Sequence, residues 1–388
     1  MSERPATAGL VHGMGKDLAE PDWSPLTAAE VSAVLARYGP PGAAAGNAAA
    51  AITWHSPRPM SAAALVRRGG AVLFVKRHHT SVRTTERLVV EHAFARHLRV
   101  RGVPVPVVLR GPGGVTTVER GGFVYEVHGA ASGVDLYRDA VSWSPFSSLS
   151  HARTAGATLA RLHQAAADFP VAAQSPGVLT TCCDVITAAD PLAAVSLILA
   201  QRPGLARYLS ERHWQQDIAR HHLPAIGRAA PLLKALPRQW GHGDWHPSNL
   251  TWTSTTADAA VAAVLDFGLA NRTFAVHDLA TALERSTVGW LDLPGSGRAD
   301  ADYDAIDALL DGYETVRPLQ PAEAAVLPEV LPVVHLEYAL SEIEYFADVV
   351  RSRGNADLAY GTYLLDHARW FAGPEGSAVL EHLRRRAR

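Results

Sequence analysis

The sequence has little cysteine and no long apolar run, and both features reduce the classes of protein to which it can belong. Only Cys182 and Cys183 occur among the 388 residues, and neighbours in sequence seldom meet the geometry of a disulfide. We therefore expect two reduced, buried thiols. No stretch approaches the ~20 apolar residues of a membrane span, and the first residues lack the apolar centre of a signal peptide. These absences favour a cytoplasmic protein with no membrane partner.

A surplus of charge of one sign is also missing. The chain carries 36 basic and 38 acidic side chains, which leaves a formal charge of −2. Such a balance provides no positive field to hold a nucleic acid, so nucleic-acid partners are not expected. Because 388 residues exceed the size at which one core usually keeps growing, we expect two domains that share a cleft. Monomer and homodimer both remain open.

The amino-terminal third predicts short strands around one or two helices. Residues 1–23 are expected to be a loosely held, flexible leader, and residues 24–127 a small domain. Thr27 and Glu30 have the spacing of a capping box, which begins a helix that stops before the turn Gly39–Gly42. A longer helix is predicted at 84–100. The five predicted strands of an antiparallel sheet are 51–54, 62–66, 71–75, 115–118 and 122–127.

Residues 128–388 are predicted to form a larger, mainly helical domain. Helical periodicity recurs at 149–167, within 188–236, at 303–316 and at 325–351. The exceptions are two short apolar runs, 250–253 and 261–265, which read as a hairpin and bracket the most polar motif of the chain. The fold class is therefore predicted to be α+β.

That motif has the residues that phosphoryl transfer requires. It runs from His242-Gly243-Asp244 to Asn249, and an Asp-Phe-Gly that begins at Asp266 follows the hairpin. Phosphoryl transfer needs a carboxylate at the attacking hydroxyl and oxygen ligands for Mg²⁺. We assign Asp244, with His242 beside it, to the catalytic segment, and Asn249 and Asp266 to the metal on the triphosphate.

The pattern H-G-D-x-x-x-x-N resembles that of the aminoglycoside phosphotransferase and choline kinase-like superfamily. The segments around His163 and Asp278 are similar to the helices that precede and follow the catalytic loop in that family. The resemblance implies a protein-kinase-like bilobal fold, ATP and Mg²⁺ as cofactors, and transfer of the γ-phosphoryl group to a hydroxyl. It also implies that Asp278 braces the catalytic loop.

Nucleotide anchors are expected in the small domain. Lys76 ends a predicted strand, and Glu91 lies on the apolar stripe of the following helix, where a carboxylate is costly to bury without a partner. We expect these two to pair. No G-x-G-x-x-G separates the first two strands, so Ser56 and Ser61 of that turn are assigned to the phosphates. The main chain of Glu126, Val127 and His128 is placed, by position alone, at the adenine edge.

The sequence is least informative about the molecule that accepts the phosphoryl group. Acids outnumber arginines in 279–388, which suits a cationic acceptor. We rank an aminoglycoside, nucleoside or other sugar-containing antibiotic first, which implies antibiotic resistance, then homoserine or an amino alcohol, and then a protein hydroxyl as in stress-response Ser/Thr kinases. The segment after Asp266 is too short for a long activation segment, which favours a small molecule. The candidate acceptor residues are Trp245, His246, Trp290, Glu337, Glu344 and Tyr345.

Two other classes of function are consistent with parts of the sequence. His242, Asp244 and His246 have the H-x-D-x-H spacing that ligates zinc in metal-dependent hydrolases. A non-catalytic pseudokinase would keep the fold for binding alone. Neither alternative explains a lysine at a strand end together with an Asp-Phe-Gly, and every expected catalytic position is filled.

Overall fold

The computed structural model describes residues 10–14, 17–38 and 50–388. Contacts divide the chain into two compact units: residues up to Arg96 together with Pro106–Ala131, and His97–Val105 together with Ser132–Arg388. The turn at 39–42 and most of the expected leader lie outside the described residues. The described part of that leader contains a small antiparallel hairpin of β1 (Val11–His12) and β2 (Leu18–Ala19).

An antiparallel sheet of five strands forms the first unit, as the alternating apolar runs predict. The strands lie in the order β3-β4-β5-β7-β6. In this register Lys76 of the central strand is the direct partner of Glu126 on its neighbour. The bounds are β3 (Ala51–His55), β4 (Ala62–Arg68), β5 (Ala71–His79), β6 (Thr117–Arg120) and β7 (Phe123–Gly129).

Helix α1 (Ala28–Leu35) begins at the predicted capping box. The Glu30 N–H donates to Thr27 Oγ1 at 3.2 Å, and the Thr27 N–H donates back to Glu30 Oε2 at 3.3 Å. Two otherwise unpaired donors of the first turn are thereby satisfied. Val31 and Val34 are fully buried and belong to the same apolar core as the sheet. Helix α2 (Thr85–Val100) follows the third of the predicted strands.

The second unit is mainly helical, as predicted. Its helices are α3 (Leu149–Ala166), α4 (Pro191–Gln201), α5 (Pro203–Leu209), α6 (Trp214–His221), α7 (Leu223–Lys234), α8 (Ala275–Thr287), α9 (Leu293–Ser296), α10 (Tyr303–Glu314), α11 (Pro321–Val330), α12 (Leu336–Glu344), α13 (Arg353–Leu358), α14 (His367–Ala372) and α15 (Pro374–Arg386). Two π-helical turns, Tyr345–Val349 and Ala359–Asp366, interrupt the carboxyl-terminal helices. The helices after residue 351 were not predicted.

Helices α3 and α10 meet at glycines. A Cβ at Gly156 would overlap the carbonyl oxygen of Leu309, and a Cβ at Gly312 would overlap that of Arg153. Only glycine lets two backbones approach this closely. The pair of helices is therefore in direct main-chain contact.

Two pairs of short strands carry the polar motif. The predicted hairpin is present as β9 (Leu250–Trp252) and β10 (Val261–Val264). The second pair, β8 (Gln239–Gly241) with β11 (Asn271–Thr273), was not predicted, because each strand has only three residues. These strands set the ends of the loops described below.

Among the residues that the structure describes, one helical run qualifies as a membrane span by length and composition. It covers Pro321–Val349, and 78% of its most apolar window is buried inside the protein. The core helices of soluble proteins pass the same test, so this run is weak evidence for a membrane.

Cys182 and Cys183 are both buried thiols outside any disulfide, as expected.

Candidate active site

The loop from His242 to Asn249 connects β8 to β9, and Gly243 gives it its shape. Gly243 has φ +75°, and a Cβ at this position would overlap the carbonyl oxygen of Leu269. Both the left-handed backbone and the close approach require glycine. The central glycine of the motif is therefore a geometric necessity.

Asp278, in the first turn of α8, braces this loop, as the resemblance implied. Its Oδ2 accepts from the His242 N–H at 2.6 Å and its Oδ1 from the Gly243 N–H at 2.7 Å. His163 Nε2 lies 3.0 Å from the same Oδ2. Burial opposes ionisation of Asp278, but His163 and the main-chain donors outweigh it and lower the pKa of the carboxyl. The loop is thus bound to a fixed negative charge.

Asn249 bonds Asp244 from within the same loop. Its Nδ2 donates to the Asp244 carbonyl at 2.8 Å and to Asp244 Oδ2 at 3.0 Å. With the amide nitrogen turned to Asp244, the amide oxygen Oδ1 is the atom left to bind a cation. The two predicted site residues are therefore brought together with defined roles for their atoms.

Arg285, also on α8, is a site residue that sequence reasoning missed. Its Nη1 forms an ion pair with Asp244 Oδ1 and donates to the Gly243 carbonyl at 3.3 Å. The guanidinium lies over the rings of Tyr338 and Trp143, at 4.6 and 5.2 Å from their centroids. Burial raises the pKa of Asp244, but Arg285, His246 and His242 together outweigh burial and hold that pKa well below its usual range. Asp244 is therefore ionised.

Both ring nitrogens of His242 are hydrogen-bonded to the main chain. Nδ1 accepts from the Asp244 N–H at 3.2 Å, and Nε2 donates to the Leu265 carbonyl at 2.8 Å. His246 lies with Nε2 3.5 Å from Asp244 Oδ1. A zinc site would need the nitrogens of His242, so the donor set of the hydrolase alternative is not assembled.

The Asp-Phe-Gly segment is joined to the catalytic loop through Leu265. The Leu265 N–H donates to the Asn249 carbonyl at 2.8 Å. Asp266 follows in a left-handed conformation, φ +54°, which is uncommon for a residue other than glycine. Its carboxylate is exposed, and Oδ1 accepts from the Gly268 N–H at 3.3 Å. Asn249 and Asp266 supply only oxygen ligands, and this donor set fits Mg²⁺.

The predicted phosphate anchors lie in the first unit. Lys76 is half-buried on β5. Glu91, expected to pair with it, is buried on α2 with Oε1 3.4 Å from Nε of Arg83. Ser56 follows β3, and its hydroxyl accepts from the Arg58 N–H at 3.3 Å. Ser61 directly precedes β4 and is half-buried.

The expected adenine contacts, residues 126–128, lie inside β7 rather than after it. The Val127 carbonyl accepts from the Leu109 N–H at 2.8 Å, so this atom is already paired. The side chain of Glu126 is buried and surrounded by imidazoles. Its carboxylate oxygens lie 2.8, 2.7 and 2.7 Å from Nε2 of His78, His92 and His128.

The predicted acceptor acids are buried and engaged. Glu337 accepts from the main-chain N–H groups of Asp184, Val185 and Ile186 at 3.1, 2.9 and 3.2 Å. Glu344 pairs with the guanidinium of Arg202. This differs from the expected acidic face for a cationic acceptor, because the helix that carries both acids is covered by the chain around residue 184 and by α5.

The predicted aromatic acceptor residues are buried as well. Trp245 is fully buried and contacts His242 edge to face, with ring centroids 5.4 Å apart. Trp290 is 1% exposed and donates from Nε1 to the Glu284 carbonyl at 2.7 Å. Tyr345 is also fully buried. These rings serve the core in this structure.

Comparison with known proteins identifies relatives by sequence. Residues 61–319 match the model of the phosphotransferase enzyme family. A homoserine kinase of Acidiphilium cryptum is 27% identical over 256 residues, which cover 64% of this chain and 66% of that protein. A homoserine kinase of Gluconacetobacter diazotrophicus is 31% identical over 189 residues, 46% of this chain and 48% of that one. The chain thus spans from about half to just under two thirds of these relatives.

Solved structures share the fold. An aminoglycoside phosphotransferase from Alicyclobacillus acidocaldarius covers 94% of this chain, with 97% of its own length matched, TM-score 0.51 and 17% identity. A microcompartment-associated aminopropanol kinase covers 90%, with 99% of its own length, TM-score 0.54 and 17% identity. The amicoumacin kinase hAmiN, in complex with AMP-PNP and Ca²⁺, covers 82%, with 88% of its own length, TM-score 0.54 and 14% identity. At these identities the likeness shows the fold, and it confirms the predicted α+β kinase-like class.

Proposed function

Because the chain belongs to the phosphotransferase enzyme family, we propose that it transfers the γ-phosphoryl group of ATP to a hydroxyl of a small molecule. The observation that carries the proposal is the set of hydrogen bonds around Asn249. Its side chain bonds Asp244, and its carbonyl accepts from the N–H of Leu265, the residue directly before Asp266. One carboxylate for the acceptor and two oxygen donors for a metal are the parts this reaction needs. They are held here by hydrogen bonds within one unit of the fold.

In this proposal Asp244 binds and orients the acceptor hydroxyl. A carboxylate whose pKa is held low by Arg285 is a weak proton acceptor, so its main contribution is to position the hydroxyl oxygen and to receive its proton as the new P–O bond forms. His242 contributes by fixing the backbone on either side of Asp244. Orientation of this kind accounts for a large share of catalysis in phosphoryl transfer.

The metal and the nucleotide are assigned to the remaining residues. Asn249 Oδ1 and the Asp266 carboxylate would hold Mg²⁺, which when bound neutralises the charge of the triphosphate. Lys76, which we expect to pair with Glu91, is assigned to the phosphates. Ser56 and Ser61 belong to the turn that we assign to cover the phosphates. The main chain of residues 126–128 is assigned to the adenine edge. AMP-PNP and Ca²⁺ bound to hAmiN support a nucleoside triphosphate and a divalent cation as cofactors.

For the acceptor we propose a small alcohol that carries an amino group. Two observations favour homoserine or an amino alcohol over the sugar-containing antibiotic ranked first from the sequence. The curated relatives described above are named homoserine kinases, and one neighbour in fold is an aminopropanol kinase. The antibiotic class stays as the second candidate because aminoglycoside phosphotransferases share the fold. We place the protein in the cytoplasm, where ATP is available.

The test is ADP release with Mg·ATP across homoserine, aminopropanol, choline, aminoglycosides, nucleoside antibiotics and a generic protein acceptor. We expect release stimulated by one small alcohol, and its loss in Asp244→Asn, which keeps the side-chain shape. Asp244→Asn leaves Arg285 buried without its partner, so Asp244→Asn/Arg285→Gln serves as a folding control that should recover stability but not activity. Transfer that survives in a folded Asp244→Asn protein contradicts the proposal.

A further inference from the structure

A second cluster of metal-ligating side chains is buried beneath the catalytic loop, in the helical unit. It consists of Glu284 on α8, His335 just before α12, and His367 at the start of α14, which are 1%, 6% and 3% exposed. Neither the sequence motifs nor the proposed reaction uses these residues. They come from three separate segments and converge on one point.

The polar atoms of the cluster lie at ion-pair distances from one another, but they are not aligned as hydrogen bonds. Glu284 Oε1 is 3.0 Å from Nδ1 of His367 and 3.4 Å from Nδ1 of His335. Both oxygens of Glu284 and all four imidazole nitrogens are nonetheless buried without a hydrogen-bond partner. A buried polar group without a hydrogen-bond partner destabilises the fold, and a charged one does so more strongly. Six in one place indicate a missing partner.

The charges around the cluster also do not balance. Asp244, Glu284 and Glu342 contribute three carboxylates, and Arg285 is the guanidinium packed among them. Glu342 Oε2 is buried without a hydrogen bond as well. Uncompensated buried charge is strongly unfavourable. With His335 and His367 neutral, as metal ligands must be, these residues lack two positive charges, which a divalent cation would supply.

The spacing fits a small transition-metal ion. With metal–ligand bonds of about 2.0–2.1 Å to nitrogen and oxygen, tetrahedral ligand atoms lie about 3.3 Å apart. We propose that Glu284, His335 and His367 bind one divalent ion of the zinc class through Oε1 and the two Nδ1 atoms. Glu284 Oε2 faces Nε of Arg285 at 3.8 Å, and Glu342 Oε2 lies behind the His335 ring, 3.8 Å from its Nε2. Imidazole ligands separate this site from the all-oxygen magnesium site.

The ion has a structural role, since its ligands hold α8 to the chain at His335 and at α14. Glu284 directly precedes Arg285, the residue that pairs with Asp244. Occupancy of the site therefore fixes the part of α8 that positions Arg285. The inference does not depend on the proposed function, because the donors are outside the loop that carries it.

The test is to refold the tag-free protein with Zn²⁺, with Co²⁺ or with EDTA, because a site this deeply buried fills during folding. We expect one zinc ion per chain by elemental analysis, visible d–d absorption bands of tetrahedral Co²⁺, and a thermal midpoint that is lower after refolding with EDTA. Glu284→Gln and His367→Gln should lose the ion and the bands. His222→Gln, which alters an equally buried histidine bonded to the Leu364 carbonyl, and Asp266→Ala should keep both.

The proposal is overturned if the refolded wild-type protein contains no stoichiometric metal and shows no Co²⁺ bands. This outcome is read from the wild-type protein alone, so it does not depend on whether a variant folds. Bands that persist in Glu284→Gln overturn it too. In either case the charge of the buried Glu284 carboxylate is balanced by a proton on His335 and not by a metal ion.

Discussion

Arg285 and Asp244 form an ion pair between residues 41 positions apart, and Asp244 carries the predicted chemistry. The guanidinium also reaches the Gly243 carbonyl and lies over two aromatic rings. The charge that sets the ionisation of Asp244 thus comes from helix α8, and the same helix supplies Asp278 to the loop. Helix α8 therefore supports the catalytic loop by two separate contacts.

Arg285→Lys should lower kcat while the protein stays folded. Lysine keeps the charge but loses the planar guanidinium, which bonds two oxygens and stacks on Tyr338. We expect kcat to fall by about 10- to 100-fold with little change in the KM for ATP, since a misplaced catalytic group costs up to about 10². Steady-state kinetics measure this. A raised KM with an unchanged kcat would assign Arg285 to nucleotide binding.

Gly243→Ala should destabilise the protein and abolish activity together. A Cβ would strain a backbone at φ +75° and overlap the Leu269 carbonyl. The backbone strain alone costs about 1–3 kcal/mol, and the overlap adds to this cost. Gly227→Ala is the matched control, since its Cβ meets no atom within 4 Å and lies in helix α7. There alanine should stabilise by up to about 1 kcal/mol. Urea unfolding compares the two, and equal effects would contradict the argument.

Asp266→Ala should remove the dependence of nucleotide binding on Mg²⁺. Its carboxylate is one of the two oxygen donors assigned to the metal, and Asn249 alone binds a divalent cation weakly. Asp258→Ala, which removes an exposed carboxylate from the turn between β9 and β10, is the control and should bind as wild type does. Titration calorimetry with a non-hydrolysable ATP analogue, with and without Mg²⁺, measures the difference. Tight Mg²⁺-dependent binding by Asp266→Ala would remove this residue from the metal site.

Acid should destabilise the fold through His222. Burial lowers the pKa of this imidazole to about 4, while its Nε2 donates to the Leu364 carbonyl at 2.8 Å. Between pH 6.5 and about 4 the unfolded chain binds a proton that the folded protein excludes, so the free energy of unfolding falls as the pH falls, by up to ~3 kcal/mol. His222→Gln keeps a donor but cannot titrate. Its unfolding free energy, followed by urea denaturation across this range, should decline less steeply than that of the wild type.

Local patterns predicted most of the fold. Thr27 and Glu30 are three residues apart, so the cap of α1 could be inferred from spacing alone. The motif from His242 to Asn249 predicted the loop, and Asp278 was correctly expected to brace it. These inferences succeed because residues close in sequence, or in a fixed motif, meet in a predictable geometry.

Contacts between distant segments could not be predicted. Arg285 is an ordinary helical arginine in the sequence, and only the packing of α8 brings it to Asp244. Glu337 was a candidate acceptor residue because nothing in its helix indicates that the turn at 184–186 covers it. The pairing of β8 with β11 joins segments of three residues, which are too short for periodicity to show.

The glycine contact between α3 and α10 is linked to the catalytic loop through side chains of these helices and α8. His163 on α3 bonds Tyr313 of α10 through Nδ1 and Asp278 through Nε2, and Asp278 holds the loop. The position of the loop is therefore tied to a helix pair whose backbones are packed in direct contact. Acceptor preference can therefore diversify in evolution, by changes in the surrounding helices, while the inherited phosphoryl-transfer geometry is preserved.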